Sequence, residues 1–168
     1  FLASRRTPWI CIVPPPTGYE IKAWRIPLAA GVPAPDWTLS DPNGKKWKLS
    51  DFKGQVVILD FCATWCQPCL AAMPKLQELH EQFEKEGVKV FGISTWERGD
   101  PVKLMTEKQL TYQLLLNGEK ITEEYSLSAL PTIYIIGTDG KIIHNALGYD
   151  PKKFDEFVKI VEKALKSK

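Results

Sequence analysis

The amino-acid sequence predicts an α/β fold: a mixed central β-sheet flanked by helices on both faces, with an N-terminal β-hairpin extension. Apolar runs of strand length, such as Val56–Phe61, alternate along the chain with segments of helical periodicity, such as Gln67–Lys85. A turn at Asp139–Gly140 joins two late strands as a hairpin, so part of the sheet is antiparallel. The chain has 168 residues, 44% of them apolar, and can bury one full core.

Residues 1–32 cannot fold alone. Trp9–Val13 and Tyr19–Ile26 look like two short extended segments, and three consecutive prolines separate them. They form either a hairpin added to the main domain or the tail of an upstream β-domain. Pro33–Asp36 marks the boundary. We therefore expect an N-terminal extension over 1–32 and the main domain over 33–168.

The main domain continues as an alternation of strands and helices. Asn43–Gly44 readily takes positive φ and predicts a hairpin turn. The continuous apolar run Val56–Phe61 indicates a central strand covered on both faces, and Pro74 should kink the helix that follows it. The other elements are expected to be strands Trp37–Leu39, Lys46–Leu49 and Val88–Ser94, helix Val102–Leu110, strand Tyr112–Leu116, a helical turn at Glu119–Tyr125, strands Thr132–Ile136 and Lys141–Ala146, and helix Lys152–Lys166.

Charge and hydropathy exclude several classes of protein. The 22 basic and 20 acidic residues are interspersed, so the sequence offers no basic patch for nucleic acid. No segment approaches the ~18 consecutive apolar residues of a membrane-spanning helix. We expect contact with a membrane only through an anchor that this sequence lacks.

Two cysteines, Cys66 and Cys69, lie where the central strand ends and the first long helix begins. A thiol at a helix N-terminus lies near unpaired N–H groups and the positive end of the helix dipole, which stabilise its thiolate. The sequence therefore predicts a dithiol that is reactive at neutral pH.

The residues around this pair are similar to a known family. Leu59–Cys69 resembles the active-site strand and turn of thioredoxin-fold proteins, and Leu130–Pro131 lies where that fold places a cis-proline before a strand. Pro33–Leu39 and Leu49–Gly54 are similar to the opening of the TlpA/ResA branch of extracytoplasmic thiol-disulfide oxidoreductases, an AhpC/TSA-related group that shares this opening with peroxiredoxins. The resemblance covers about residues 33–165 and implies a thioredoxin fold.

The resemblance gives each residue of the pair a role. Cys66, the more exposed thiol, is expected to attack a substrate disulfide, and Cys69 to resolve the resulting mixed disulfide. Gln67 and Pro68 would tune the pair. Asp60 is a costly carboxylate in an apolar strand, and a matching aspartate in thioredoxins moves the proton of the buried cysteine, which implies a general acid/base. Alternatively, Asp60 caps a turn or is satisfied by buried water.

Substrate contacts are expected beside the dithiol. The resemblance implies a cis peptide bond before Pro131, which leaves the backbone of Leu130 free to pair with an extended substrate segment. Trp65 is either an apolar platform beside Cys66 or an ordinary half-buried aromatic. Ser94–Arg98 either borders the groove or is a plain loop. The predicted substrate-binding residues are Trp65, Gln67, Pro68, Leu130 and Pro131.

Four further residues are candidate ligands or redox groups. Cys62 stands where the relatives usually carry a large aromatic. Its spacing to Cys66 and Cys69 is that of radical-SAM iron–sulfur enzymes, but this chain is too short for their barrel. Cys62 is therefore a core residue, with a third redox thiol that pairs with Cys66 as the alternative. Cys11 is expected to be inert or unpaired, and His80 and His144 lack partners at a metal-binding spacing.

The predicted function is a thiol-disulfide oxidoreductase that reduces protein disulfides and takes electrons from an upstream dithiol donor. The resemblance implies a role in redox homeostasis in an extracytoplasmic space, either periplasmic or anchored facing outside. We expect a monomer with no metal and no cofactor beyond the Cys66–Cys69 disulfide. A disulfide-inserting oxidant and a non-catalytic docking module are the alternatives. Peroxidase chemistry is excluded because Leu59 and Ala63 replace the proline and threonine of its P-x-x-x-T-x-x-C motif.

Overall fold

The computed structural model describes residues 10–12 and 25–167 and contains a mixed β-sheet with flanking helices. The strands are β1 (Cys11–Ile12), β2 (Thr38–Ser40), β3 (Lys46–Lys48), β4 (Val56–Cys62), β5 (Val88–Ser94), β6 (Gln113–Leu115), β7 (Ala129–Leu130), β8 (Thr132–Ile136) and β9 (Ile142–Leu147); the α-helices are α1 (Gln67–Phe83), α2 (Pro101–Glu107) and α3 (Phe154–Lys166).

The main sheet has five strands in the order β6-β5-β4-β8-β9, so β4 lies at its centre as predicted. Strand β4 pairs in parallel with β5 and antiparallel with β8, which confirms the mixed sheet. In this register Cys62 lies opposite Ser94, and Phe61 lies opposite Thr132. The end of β4, the end of β5 and the beginning of β8 therefore meet at one edge of the sheet.

Side chains of β4 alternate between two apolar clusters because successive residues of a strand point to opposite faces. Val56 and Ile58 pack with α1 and α3 through residues such as Leu76 and Phe157. On the opposite face, Val57, Leu59 and Phe61 belong to a cluster formed with the β2–β3 hairpin and with the 3-10 helices Leu49–Phe52 and Gly118–Ile121. These elements supply Leu39, Leu49 and Ile121, and Trp37 joins the cluster from the position directly before β2.

Helix α1 starts immediately after Cys66, with Pro68 in its first turn, where a missing N–H costs nothing. Pro74 lies inside this helix, and the kink expected there stays a prediction. It ends earlier than predicted, at Phe83, and one turn of 3-10 helix carries the chain to Gly87, whose φ of 94° stops it.

The N-terminal strand β1 pairs antiparallel with β7, with Cys11 opposite Leu130. Most of Tyr19–Ile26, the second strand of the predicted N-terminal hairpin, lies outside the described residues. The hairpin predicted around Asn43–Gly44 forms as β2 and β3. Across residues 10–12 and 25–167, no helix is both long and apolar enough to cross a membrane.

Candidate active site

The two cysteines of the predicted dithiol lie at the start of α1. Strand β4 ends at Cys62, a short turn follows, and Cys66 becomes the N-cap residue of the helix with extended φ and ψ of −95° and 103°. The backbone N–H of Cys66 donates to the Ala63 carbonyl at 3.2 Å, and that of Leu70 donates to the Cys66 carbonyl at 3.1 Å. All four cysteines, Cys11, Cys62, Cys66 and Cys69, are free thiols.

The two thiols have opposite pKa shifts. The Cys69 thiol acts as hydrogen-bond donor to Cys66 and, against the effect of burial, helps to lower the pKa of Cys66 from 9.0 to about 7. The thiol and the backbone N–H of Cys11 lower it further. Burial, and then the proton that Cys69 shares with Cys66, raise the pKa of Cys69 far above its ordinary value. At neutral pH the arrangement therefore keeps a large fraction of Cys66 as thiolate while Cys69 stays protonated.

Cys66 is not exposed, contrary to the sequence-based expectation. The side chains of Cys66 and Cys69 are both 0% exposed. The physical reason lies in the N-terminal strand: Cys11 is opposite Leu130 and its thiol contacts Cys66. The backbone of Leu130, expected to be free for a substrate, is therefore paired with the chain's own Cys11.

Asp60 lies in the middle of the sheet, opposite Gly92 of β5 and Ile133 of β8, and is 0% exposed. Neither carboxylate oxygen has a hydrogen-bond partner of ordinary geometry among the described residues, so Asp60 caps no turn. Burial raises the pKa of Asp60 from 3.8 to about 7; the negative charge of Cys66 adds to this, and the nearby Cys62 thiol opposes it.

The turn before Cys66 is held by Glu97 from the loop after β5. The Glu97 carboxylate accepts hydrogen bonds from the backbone N–H of Thr64 at 3.1 Å and from the Thr64 hydroxyl. It also accepts from Ser94 Oγ at 3.1 Å and from the N–H groups of Arg98 and Gly99 at 2.8 and 2.9 Å. Glu97 carries no motif in the sequence, and only the fold brings it to this turn.

Trp65 is anchored to the same loop. Its indole Nε1 donates to the Trp96 carbonyl at 2.8 Å, and the Arg98 guanidinium lies 4.8 Å from the centre of its ring. Of the two choices left open by the sequence, Ser94–Arg98 therefore borders the active site.

The remaining predicted substrate-binding residues occupy two sites beside the dithiol. The peptide bond between Leu130 and Pro131 is cis, as the resemblance implies. Both residues are buried. On the helix side, Gln67 is exposed and Pro68 is buried.

Comparison with known proteins shows the family to which this chain belongs. The sequence profile of the AhpC/TSA family matches residues 30–145, more than half of the chain. The chain belongs to the AhpC/TSA family. Thiol-disulfide oxidoreductase ResA of Bacillus thuringiensis subsp. konkukian is 33% identical over 145 residues, covering 84% of this chain and 83% of that protein.

Solved structures with similar folds agree. A crystal structure from Chlorobium tepidum, described as a candidate thiol:disulfide interchange protein DsbE, matches with a TM-score of 0.76 and 27% identity over 82% of this chain and 99% of that one. The thioredoxin domain of a thiol-disulfide oxidoreductase from Bacteroides vulgatus matches with a TM-score of 0.70 and 29% identity over 80% and 99% of the two chains. This AhpC/TSA protein is thus a thiol-disulfide oxidoreductase with a thioredoxin fold, as its sequence predicted.

Cys62 of this AhpC/TSA protein lies behind the dithiol. Its side chain is 4% exposed, and burial, followed by the charge of Asp60, raises its pKa well above 9.0. It lines a small pocket together with Tyr112 and Glu97. The Tyr112 hydroxyl is buried and has no hydrogen-bond partner among the described residues. Burial fits the prediction that Cys62 is a core residue.

The two histidines of this AhpC/TSA protein lie away from the dithiol. His80 is buried on α1 with its ring centre 6.5 Å from that of Tyr112, and His144 packs on Phe157 at 5.5 Å. Among residues 10–12 and 25–167, no group of three or more His, Cys, Asp or Glu side chains could hold a metal ion.

Proposed function

We propose that this enzyme reduces protein disulfides by dithiol exchange at Cys66 and Cys69. The observation that carries the proposal is the opposite shift of the two pKa values: Cys66 is lowered to about 7 and Cys69 is strongly raised. A thiolate attacks a disulfide and a thiol does not, so Cys66 begins the reaction and Cys69 waits protonated.

The reaction would proceed in two exchanges. In the first, the Cys66 thiolate bonds to one substrate sulfur, the substrate S–S bond breaks, and the other sulfur leaves as a thiolate that takes a proton. In the second, Cys69 loses its proton and attacks Cys66, and the first substrate sulfur leaves. Two electrons pass to the substrate, which becomes a dithiol, while the enzyme becomes a Cys66–Cys69 disulfide.

Asp60 would be the base of the second exchange. Its pKa of about 7 leaves both the protonated and the ionised form accessible at neutral pH, which suits a group that accepts and returns a proton. Its carboxylate is one of the charges that raise the pKa of Cys69. Once Cys66 is bound in a mixed disulfide, Cys69 no longer shares its proton with a thiolate, and Asp60 can take it.

Substrate would bind along the edge formed by Leu130 and Pro131. A backbone edge pairs with any extended segment, so it suits a reductase that acts on several proteins. Trp65 would supply an apolar surface, held by the Trp96 carbonyl and Arg98. Gln67 is exposed beside the dithiol and would contact the substrate at its edge.

Electrons would flow from an upstream dithiol protein to the substrate. A base beside the resolving cysteine favours reduction, because that cysteine must be deprotonated after substrate binding. We further propose that the protein acts as a monomer outside the cytoplasm, as the TlpA/ResA resemblance implies. An exposed reporter cysteine, Asp139→Cys, tests the compartment with a membrane-impermeant maleimide in intact cells: full labelling supports it, and labelling only after lysis contradicts it.

Trapping the mixed disulfide tests the mechanism. Because the Cys11 thiol lies beside Cys66, Cys11 is replaced by serine in every variant of this test. With insulin as the disulfide substrate, Cys69→Ser should then accumulate an adduct between Cys66 and a substrate cysteine, and Cys66→Ser should give none. Cys62→Ala is the matched control, because it removes a neighbouring buried thiol and should keep turnover. An adduct that persists in Cys66→Ser, or full multiple turnover by Cys69→Ser, would contradict the assigned roles.

A further inference from the structure

The strand β1 lies on the backbone edge that the proposed function assigns to the substrate. It runs antiparallel to β7, with Cys11 opposite Leu130 and Ile12 opposite Ala129. An extended protein segment bound beside Pro131 would use the same edge and present its cysteine to Cys66. The N-terminal strand therefore has both the backbone position and the side chain of a bound substrate.

The contact between Cys11 and Cys66 is direct. The Cys11 thiol acts as hydrogen-bond donor to Cys66, and the backbone N–H of Cys11 also lies close to that sulfur. Cys11 packs against the apolar cluster that contains Cys66 and Leu130, and it is only partly exposed. Cys66 is 0% exposed. Its sulfur therefore has two thiol neighbours, Cys69 and Cys11.

We propose that Cys11 is an internal substrate thiol: its strand occupies the substrate edge, and Cys11 forms a reversible disulfide with Cys66. The inference deepens the proposed function and rests on it. The sequence predicted that Cys11 is inert or unpaired. Its place beside Cys66 would instead make it the third redox-active thiol of the site, after Cys66 and Cys69.

The exchange needs no reagent beyond the enzyme itself. Turnover leaves a Cys66–Cys69 disulfide, and the Cys11 thiol loses its proton and attacks the Cys66 sulfur. The Cys66–Cys69 bond breaks, a Cys11–Cys66 bond forms, and Cys69 leaves as a thiolate that is protonated. The number of disulfides and of electrons is unchanged, and the oxidised active site is held with its resolving thiol reduced.

The strand would also compete with protein substrates. A site that is free for only a fraction of the time binds with an apparent dissociation constant larger by the inverse of that fraction. If β1 covered the edge for nine-tenths of the time, its removal would lower the KM for a protein substrate on the order of tenfold. Loss of the thiol alone would raise the pKa of Cys66, because the Cys11 thiol lowers it.

A variant with two cysteines tests the disulfide. Replacing Cys62 and Cys69 by alanine leaves only Cys11, on tryptic peptide 7–22, and Cys66, on tryptic peptide 54–75. Oxidised glutathione is added as the electron acceptor, and the products are quenched in acid, alkylated and mapped by mass spectrometry. The expected product is a monomer in which the two peptides are joined and which dithiothreitol separates. The same variant with Cys11→Ser should give only glutathione on Cys66.

One result of this mapping would exclude Cys11 as a redox partner of Cys66. If the wild type forms its Cys66–Cys69 disulfide in the same glutathione buffer while the two-cysteine variant yields only glutathione on Cys66, Cys11 is not a redox partner. If the wild type forms no disulfide at Cys66, neither with Cys69 nor with Cys11, the proposed function itself has failed.

Kinetics test the competition separately. Ile12→Pro should weaken the pairing of β1 with β7 while leaving both active-site thiols in place. A KM for a protein disulfide lowered severalfold, with kcat retained, supports the competition. An unchanged KM for the protein disulfide shows that β1 does not cover the substrate edge.

Discussion

Replacing Asp60 by asparagine should change how the stability of the protein depends on pH. The carboxyl group is 0% exposed, and its pKa is raised from 3.8 to about 7, chiefly by burial. The folded protein therefore keeps a proton on Asp60 up to about pH 7, while the unfolded chain releases it near pH 4. Folding takes up a proton between these values, so the free energy of unfolding falls from about pH 4 to pH 7 and levels off above.

The magnitude follows from the two pKa values of Asp60. They differ by about three, and each unit corresponds to about 1.4 kcal/mol, so the ionised carboxylate destabilises the folded state by about 4 kcal/mol at pH 8. Asparagine does not ionise. The difference in unfolding free energy between Asp60→Asn and the wild type should therefore move by about 4 kcal/mol in favour of the variant between pH 4 and pH 8, whatever the buried amide costs at both pH values.

Urea denaturation of the reduced proteins at several pH values measures this difference. Asp139→Asn, on an exposed turn, controls for the loss of one surface charge. Repeating the comparison in a Cys66→Ala background separates burial from the smaller effect of the Cys66 thiolate. A difference between Asp60→Asn and wild type that stays constant from pH 4 to pH 8 would refute a raised pKa for Asp60 and, with it, its role as the base.

Three other substitutions have defined outcomes. Glu97→Gln should lower the free energy of unfolding by about 1–3 kcal/mol, measured by urea denaturation, and should also lower kcat/KM. The reason is that an amide cannot accept all the hydrogen bonds from Thr64, Ser94 and the loop. Unchanged stability and activity would show that this carboxylate does not hold the turn. Gly118→Ala should lower the free energy of unfolding by about 1–3 kcal/mol, since an added Cβ would lie 3.0 Å from the Ser94 carbonyl oxygen and closer still to Thr95; a neutral effect would contradict this tight packing. Tyr112→Phe should raise stability by about 1 kcal/mol, because the hydroxyl is buried without a partner among the described residues; a loss of that size would show that the hydroxyl is hydrogen-bonded.

Lowering the pH should reduce the contribution of Glu97 to the free energy of unfolding, whereas it relieves the destabilisation by the Asp60 carboxylate. Partial burial alone would raise the pKa of Glu97, but the hydrogen bonds from Thr64, Gly99 and Arg98 lower it. Its contribution to stability is present above the pKa of an ordinary glutamate and is lost as the pH falls through the lowered folded-state pKa. The stability gap between wild type and Glu97→Gln should therefore narrow on acidification, and a gap that widens would contradict the lowered pKa.

Local patterns predicted the centre of the fold and of the site. The apolar run of β4 and the helical spacing of α1 locate the turn that carries Cys66, and Asp60 is conspicuous because a carboxylate in such a strand is costly. Helix boundaries were less predictable. Helix α2 was predicted to end at Leu110 but ends at Glu107. Gln109, just beyond this end, takes a positive φ of 55°, which no sequence pattern indicates.

Two parts of the site depend on contacts between distant segments. Glu97 reaches the turn at Thr64 only because β4 and β5 end side by side, and its own surroundings in the sequence resemble an ordinary loop. Cys11 reaches Cys66 because β1 pairs with β7. A strand of two residues has too little pattern to reveal its partner, so the sequence predicted an extended segment near Cys11 and not the edge that it occupies.

A redox titration of the wild-type protein tests the central claim most directly. The protein is equilibrated in dithiothreitol or glutathione buffers of stepped potential, quenched in acid and alkylated, and the modified cysteines are mapped. We predict one two-electron transition in which Cys66 loses its reactivity together with Cys69 or, where the internal exchange has moved the bond, with Cys11, near the roughly −270 mV of thioredoxin. A transition near −120 mV would make the protein an oxidant that inserts disulfides, and the absence of any two-electron transition at Cys66 would contradict a catalytic dithiol.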